Sequence, residues 1–559
     1  MSKFLKVIGI IAVLLVIIGA AAYWFILKKF TPEAETPAMY NQERIVKTIE
    51  DQLKETDVQK ARTKAPLIIE KNITELQQAI ANGALTYEEL TAFYLDRILQ
   101  FDQIDNGMNS ISEINPQAIK EAKAFDQQAS QTPKKPLYGI PVTLKENINT
   151  TNMISSAGAY ALRTFKPKED AEVVKKLTEA QTLILGKVNL SELANYMSMK
   201  APSGYSSKHG QTLNPYGPLK ITPSGSSSGS AASVTMNIGA FSLGTETMGS
   251  IVSPASHQSV VGFKPTHSSV SGEGVLPLAP SLDTVGPIAR SVVDAAQGYN
   301  AFKKDTVPSI DSTKFTKNNL QGQRIGLLEM PSAEEEFATA KKALQKAGAE
   351  VIPLTPDMEG IDGGKVISNE FKFALEEFAK RYDLPFKTLE ELIAYNQQDK
   401  KVRAKYGQDL LEADVKKKQP DKEVIQATIK KAQQTFDALL KKQQLDGYAF
   451  IDSEGTGLSA VAGYPELTVP LAKNSEGQPY GLTFTQTANK EQTLFEQAYS
   501  FEQSTKGRIV LSDNELLANS KKINRDEQER ETRNGEISVS NLIKIIDLQM
   551  KGIVCRSII

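Results

Sequence analysis

The chain is short of the residues on which most metal and redox chemistry rests. Its 559 residues include one cysteine, Cys555, so no intrachain disulfide can form and a disulfide scaffold is excluded, whatever the compartment. Cys555 lies near the C-terminus and is expected to be inert. Histidine is nearly as scarce, with only His209, His257 and His267. A zinc site made from a His/Cys cluster lacks its ligands, and no metal or other cofactor is expected. An excess of charge of one sign is missing too: 65 Lys and Arg against 66 Asp and Glu leave a net charge of −1. Attraction to nucleic acid draws on an excess of Lys and Arg that neutralises phosphates, so no nucleic-acid partner is expected.

What is present begins at the N-terminus. Residues 7–27 form a run of 21 residues without a charge. As an α-helix such a run covers roughly 31 Å, about one bilayer core. Tyr23 and Trp24 fit an interfacial anchor near one end. The basic start at Lys3 and Lys6 and the small residues Ala20-Ala21-Ala22 also fit a cleaved signal peptide, but a signal's apolar region runs to only about 15 residues. The length favours an uncleaved transmembrane helix, with secretion after cleavage as the alternative. Lys28 and Lys29 balance Lys3 and Lys6, so orientation is weakly set; the extracellular face is expected for the rest of the chain.

Residues 30–65, with Thr31-Pro32 and Thr36-Pro37 followed by charged sequence, read as a stalk. Beyond them the texture is globular. Asn72-Ile-Thr-Glu75 and Thr86-Tyr-Glu-Glu89 fit capping boxes at two helix starts, each followed by apolar residues at helical spacing. Ile140 to Leu144 is an apolar run of β-formers ending on Lys145, the pattern of a buried strand that delivers a charge at its end. A helix over 170–183 and a strand at 181–186 follow. Arg324-Ile-Gly-Leu-Leu328, a helical stretch over 333–347 and Ala349-Glu-Val-Ile-Pro353 make a strand–helix–strand unit. Residues 365–445 are charged helical sequence, read as a peripheral layer, and 463–471 return to buried-strand texture. Strands alternating with helices imply an α/β layered sheet. The expected division is 1–29 anchor or signal, 30–65 stalk, 66–510 one large domain and 511–559 tail.

The stretch Pro223-Ser-Gly-Ser-Ser-Ser-Gly-Ser-Ala-Ala232 has linker composition, yet it runs straight into apolar helical sequence and then Gly244-Thr-Glu-Thr-Met-Gly-Ser-Ile251. Inside an α/β pattern, a backbone of small residues can turn its N–H groups inward, as the stabilisation of an oxyanion requires. Gly225-Ser-Ser-Ser-Gly229 satisfies G-x-S-x-G around Ser227. That motif calls for a histidine well downstream, and the last one, His267, is only 40 residues on. A serine without an available histidine needs another base. Lysine serves when burial lowers its pKa enough to leave it neutral, and Ser-Lys arrangements are known variants of the triad.

Residues 66–510 resemble the amidase signature family. The resemblance rests on Gly139-Ile-Pro-Val-Thr-Leu-Lys-Glu-Asn147, Gly186-Lys-Val-Asn-Leu-Ser-Glu192, Ser224-Gly-Ser-Ser-Ser-Gly-Ser230, Gly244-Thr-Glu-Thr-Met-Gly-Ser250, Gly262-Phe-Lys-Pro-Thr266 and Asp283-Thr-Val-Gly-Pro287, in that order. It implies a large twisted mixed β-sheet covered by helices on both faces, and hydrolysis of a carboxylic amide. It implies a Ser–Ser–Lys triad: Lys145 as base, Ser226 as the middle serine behind a cis peptide, and Ser250 as nucleophile. The backbone N–H groups of Thr247, Met248, Gly249 and Ser250 would form the oxyanion hole. Three positions depart from the family pattern: Met248 beside the nucleophile, Ser224 for a usual Gly, and Val252 where many members carry Arg. Asp283 is given no chemistry, and Glu246 is read as a structural hydrogen-bond partner. The expected substrate is a small, peptide or lipid-like amide, its pocket built partly by the 365–445 layer. Two alternatives are the glutaminase component of a tRNA-dependent amidotransferase and an inactive binding relative.

Overall fold

The computed structural model describes residues 39–128, 135–331 and 333–521. The expected membrane span at 7–27, Cys555 and residues 522–559 of the expected tail lie outside the described residues. Among the described residues no helix is long and apolar enough to cross a membrane.

The frame is an eleven-stranded mixed sheet. In chain order its strands are β1 (Ile111–Ile114), β2 (Pro141–Lys145), β3 (Leu183–Val188), β6 (Phe241–Glu246), β7 (Val261–Lys264), β8 (Thr284–Ala289), β9 (Arg324–Leu328), β10 (Glu350–Leu354), β11 (Gly447–Ile451), β12 (Glu466–Lys473) and β13 (Pro479–Thr485). A separate two-stranded ribbon pairs β4 (Tyr205–Ser206) with β5 (Gly210–Gln211). Across the large sheet the order is β1-β3-β2-β6-β8-β7-β12-β13-β11-β9-β10. The strand–helix–strand unit read from sequence is there: β9, helix Glu334–Lys346 and β10, with the two strands parallel. Every residue of β2, β6, β8, β11 and β13 is buried. A strand buried on alternate side chains in both directions is covered on both faces. That is why these segments read as continuous apolar or small-residue runs rather than as alternation.

Both capping boxes form. Asn72 and Thr86 each accept the N–H three residues on, and Glu75 and Glu89 reach back to the cap N–H. The serine-rich segment is no linker. It continues into helix Ser228–Thr235, in which every residue is buried. Small side chains let this helix lie against main chain: a Cβ on Gly229 would come within 2.5 Å of Asn189 O and 2.6 Å of Ser110 O. Strands β2 and β6 run parallel and adjacent, so Lys145 at the end of β2 and the turn after β6 emerge side by side. The carboxyl ends of parallel strands are where α/β sheets place their ligands.

The chain departs from the sequence reading at both ends of the body. Residues 42–63, read as stalk, hold helices Gln42–Leu53 and Val58–Thr63, and Ile45, Ile49 and Ala61 are buried in the main core. The apolar residues are few, so the polar composition hid them. Residues 513–521, read as tail, are helical; Leu516 is buried in the same core, and Asp513 pairs with Arg97 at 2.9 Å. Ile49→Ala is expected to lower the unfolding free energy by about 2–5 kcal/mol in urea titration, whereas a stalk residue would leave it unchanged.

Candidate active site

Lys145 closes β2 with its side chain fully buried. Its amine lies within hydrogen-bond distance of the hydroxyls of Ser226 (2.8 Å), Ser227 (2.9 Å) and Thr245 (2.8 Å), and donates to Thr245 O at 3.0 Å. None of these partners is a carboxylate. Burial lowers the amine from its usual range to about 7, with Glu246 and Asp283 only partly opposing the shift. A neutral amine has two N–H groups and one lone pair. Thr245 O takes one N–H, and a hydroxyl in the cage can hand the lone pair a proton. The Gly225–Ser226 peptide bond is cis.

Ser250 stands in the turn after β6 and is partly exposed, whereas Ser226 and Lys145 are buried. The two serine segments are joined through main chain: Ser227 N–H donates to Ser250 O at 3.2 Å. Ser226 Oγ and Ser250 Oγ make no hydrogen bond to each other in this state. Such contacts in unliganded sites commonly tighten only when substrate is bound.

Glu246 shapes the turn. Its Oε1 accepts Gly249 N–H at 2.7 Å, and its Oε2 accepts Ile251 N–H at 2.6 Å and Val252 N–H at 3.0 Å. The structural role read for Glu246 is thus visible in its partners. One consequence corrects the expected oxyanion hole. The Gly249 N–H, expected among its donors, points at Glu246 instead. Gly249 itself has φ 90, a conformation that glycine adopts without a Cβ penalty. Asp283 is closer to the site than the sequence implied. It accepts Thr247 Oγ1 at 2.5 Å and the N–H groups of Leu278 and Ala279 at 2.8 and 2.9 Å. Ser227, marked in the sequence only as the centre of G-x-S-x-G, and Thr245, which carried no sequence signal, both hold the Lys145 amine.

Each departure from the family pattern has a place. Met248 packs in an apolar cluster with Val461 and Leu458, and its sulfur lies so close to Gly363 that a Cβ there would meet it at 2.7 Å. The side chain anchors the turn to the start of helix Gly363–Arg381. Ser224 adopts φ 56 and hydrogen bonds to Ser253 at 2.8 Å between hydroxyls. Val252 is buried as the first residue of helix Val252–His257.

Glu146, next to Lys145, belongs to a separate buried network. It meets Lys208 at 2.5 Å, His209 at 2.9 Å and the Ser156 hydroxyl at 2.6 Å. Lys208 also pairs with Glu113 at 3.0 Å, and Arg44 grips Glu113 through two bonds of 2.7 Å. Burial alone would raise Glu146, but His209 and Lys208 hold it well below the usual carboxylate range. Glu113, Glu146 and His209 have metal-ligand chemistry and converge, yet the cations that neutralise these carboxylates are Lys208 and Arg44.

A cavity of about 470 Å³ opens beside Asn147, Thr245 and Thr247, with walls that include Val270, Leu276 and Phe378. Phe378 comes from helix Gly363–Arg381, within the layer expected to contribute to the pocket.

The Amidase family profile matches residues 89–495. The chain belongs to the amidase family. A probable amidase of Arabidopsis thaliana is 36% identical over 470 residues, 78% of this chain and 90% of its own. Among solved structures, an amidase family protein from Bacillus anthracis is 40% identical with TM-score 0.83, covering 86% of this chain and 99% of its own. Native peptide amidase from Stenotrophomonas maltophilia is 37% identical with TM-score 0.74, covering 79% and 98%. Components of glutamyl-tRNA(Gln) amidotransferases are also among the curated relatives. This amidase is an enzyme that hydrolyses amides, acting on a C–N bond.

The buried amine sets a pH dependence. Below about 7 Lys145 is protonated and has no lone pair to offer; above it the lone pair is free. The amidase kcat/KM is expected to rise with pH through an acid limb centred near that value and then level off. Lys145→Ala is expected to lose most turnover, and retained activity at neutral pH would refute a lysine base.

Proposed function

We propose that this amidase works through an acyl-enzyme on Ser250, with Ser226 passing the proton between Ser250 and neutral Lys145. Ser250 Oγ attacks the amide carbonyl while its proton moves to Ser226, whose own proton moves to the Lys145 lone pair. The N–H groups of Thr247, Met248 and Ser250 hold the oxyanion. As the C–N bond breaks, the proton returns through Ser226 to the leaving amine. Water then attacks the acyl ester along the same relay and frees the acid. The observation that carries this reading is the Lys145 amine, fully buried, bonded to Ser226 and touching no carboxylate. The substrate class we infer is a terminal carboxamide attached to an apolar group, such as the C-terminal amide of a peptide. The cavity beside Thr247, walled partly by Val270, Leu276 and Phe378, supports an apolar acyl group, and the likeness to peptide amidase supports the carboxamide.

Purified amidase is expected to react with a fluorophosphonate probe and to hydrolyse apolar peptide amides faster than free glutamine. No labelling of the wild type, or undiminished labelling of Ser250→Ala, would sink the acyl-enzyme reading. A preference for glutamine would favour the amidotransferase alternative.

We also propose that residues 7–27 anchor the amidase in a membrane, with its catalytic domain on the outer face. The uncharged run of 21 residues is what supports this. The full chain is expected to stay with membranes through alkaline carbonate washing and to be released by deletion of residues 1–29. Extraction of the full chain by carbonate would overturn the anchor, and a mature N-terminus just after Ala22 would establish secretion instead.

A further inference from the structure

Glu246, Glu466 and Lys264 are all buried, and Glu246 receives N–H groups of the turn that carries Ser250. Glu246 closes β6, Lys264 closes β7 and Glu466 opens β12, where it is the register partner of Lys264. That register invites an ion pair, but the two hydrogen bonds of the Lys264 ammonium go elsewhere, to Pro265 O at 3.1 Å and Tyr464 O at 2.7 Å. Glu466 Oε1 accepts the Ser459 hydroxyl. Its other oxygen, Oε2, is buried and accepts from nothing. Its neighbour is the Glu246 carboxylate.

An orphaned, ionised carboxylate oxygen buried against a second carboxylate is an arrangement that proteins avoid, both as an unpaired acceptor and as a like-charge contact. One proton removes both faults. It cancels a charge and turns the orphan acceptor into a donor with an acceptor beside it. Glu246 is the wrong place for that proton, because both its oxygens already receive main-chain N–H donors, which favour the charged form. The proton belongs on Glu466.

We propose that Glu466 is a neutral carboxylic acid that donates a hydrogen bond to Glu246 and thereby fixes the turn carrying Ser250. Glu466 touches no reacting atom; it is a positioning residue acting through Glu246, and its link to catalysis rests on Ser250 being the nucleophile. Burial first, and then the adjacent Glu246, raise Glu466 well above the usual carboxylate range. Burial also lowers Lys264. Both shifts agree with a pair that carries less charge than its formal count.

Two variants of the full chain separate a proton from a charge. Glu466→Gln keeps a neutral donor towards Glu246 and an acceptor for Ser459, whereas Glu466→Met keeps the bulk and loses both. Loss of a hydrogen bond to a charged group predicts a fall in kcat of roughly 10- to 100-fold for Glu466→Met, with KM within about twofold and slower fluorophosphonate labelling of Ser250. Glu466→Gln is expected to keep kcat within about threefold of wild type. In infrared difference spectra at neutral pH, wild type is expected to show a neutral carboxylic-acid band that Glu466→Gln lacks. The proposal is overturned if Glu466→Gln loses as much as Glu466→Met, if Glu466→Met keeps wild-type kcat, or if the band is missing. Should Glu466→Met fail to fold, Glu466→Gln and the band still decide. Should wild type hydrolyse no amide, the Ser250 reading fails while the band tests the proton on its own.

Discussion

An amine held away from water and from every carboxylate is the constraint around which the site is arranged. The proposed base role needs a neutral Lys145, and burial lowers its pKa to about 7 by withholding the solvation that a charge needs. A single carboxylate within hydrogen-bond reach would restore the charge and end its use as a base. The cage of Ser226, Ser227 and Thr245 supplies polarity without charge. Burying β2 completely is what makes such a cage possible, so the wide sheet with covered faces is a requirement of the chemistry as much as a folding solution.

The arrangement is notable because acidic residues stand on both sides of it in sequence. Glu146 follows Lys145 directly, and Glu246 precedes Ser250 by four positions. Each is held by other partners. Glu146 is committed to Lys208, His209 and Ser156, and Glu246 to three main-chain N–H groups of the turn carrying Ser250. The buried ion network reaching Arg44 therefore does more than contribute stability. Buried ion pairs are weak stabilisers on balance, since desolvation offsets much of their attraction. Here the network keeps the Glu146 charge engaged with cations other than Lys145. The N-terminal helix Gln42–Leu53 supplies Arg44, which ties that element to the neighbourhood of the base.

How much of this was legible in the sequence follows from which interactions are local. Capping boxes at Asn72 and Thr86 and the strand ending on Lys145 depend on near neighbours and were readable. The scarcity of histidine was readable as well, and it directed attention to a lysine. Contacts between distant segments were not. Nothing local to Gly249 announces that its N–H turns towards Glu246 and away from an oxyanion. Nothing near Asp283 announces that it holds the Thr247 hydroxyl 36 residues earlier. The helices within 42–63 were missed for a different reason: a short helix that buries two isoleucines keeps a polar composition, and only its partner shows that it belongs to the core.

Met248 shows how chemistry and specificity divide along the chain. The proposed reacting groups come from segments at the carboxyl ends of β2 and β6, whose geometry is set by main-chain hydrogen bonds and small residues. The layer from residue 363 onwards meets them through side chains: Met248 against Gly363, and Phe378 in the cavity wall. A residue larger than glycine at 363 would collide with the methionine sulfur, so a change there is felt at the turn carrying Ser250 through packing. Packing is adjustable by compensating substitutions of similar volume, whereas the N–H groups on Glu246 and the uncharged cage around Lys145 are not. The helical layer thus meets the turn through packing while the turn is held by its own main-chain hydrogen bonds, and Met248 is the point where the two meet.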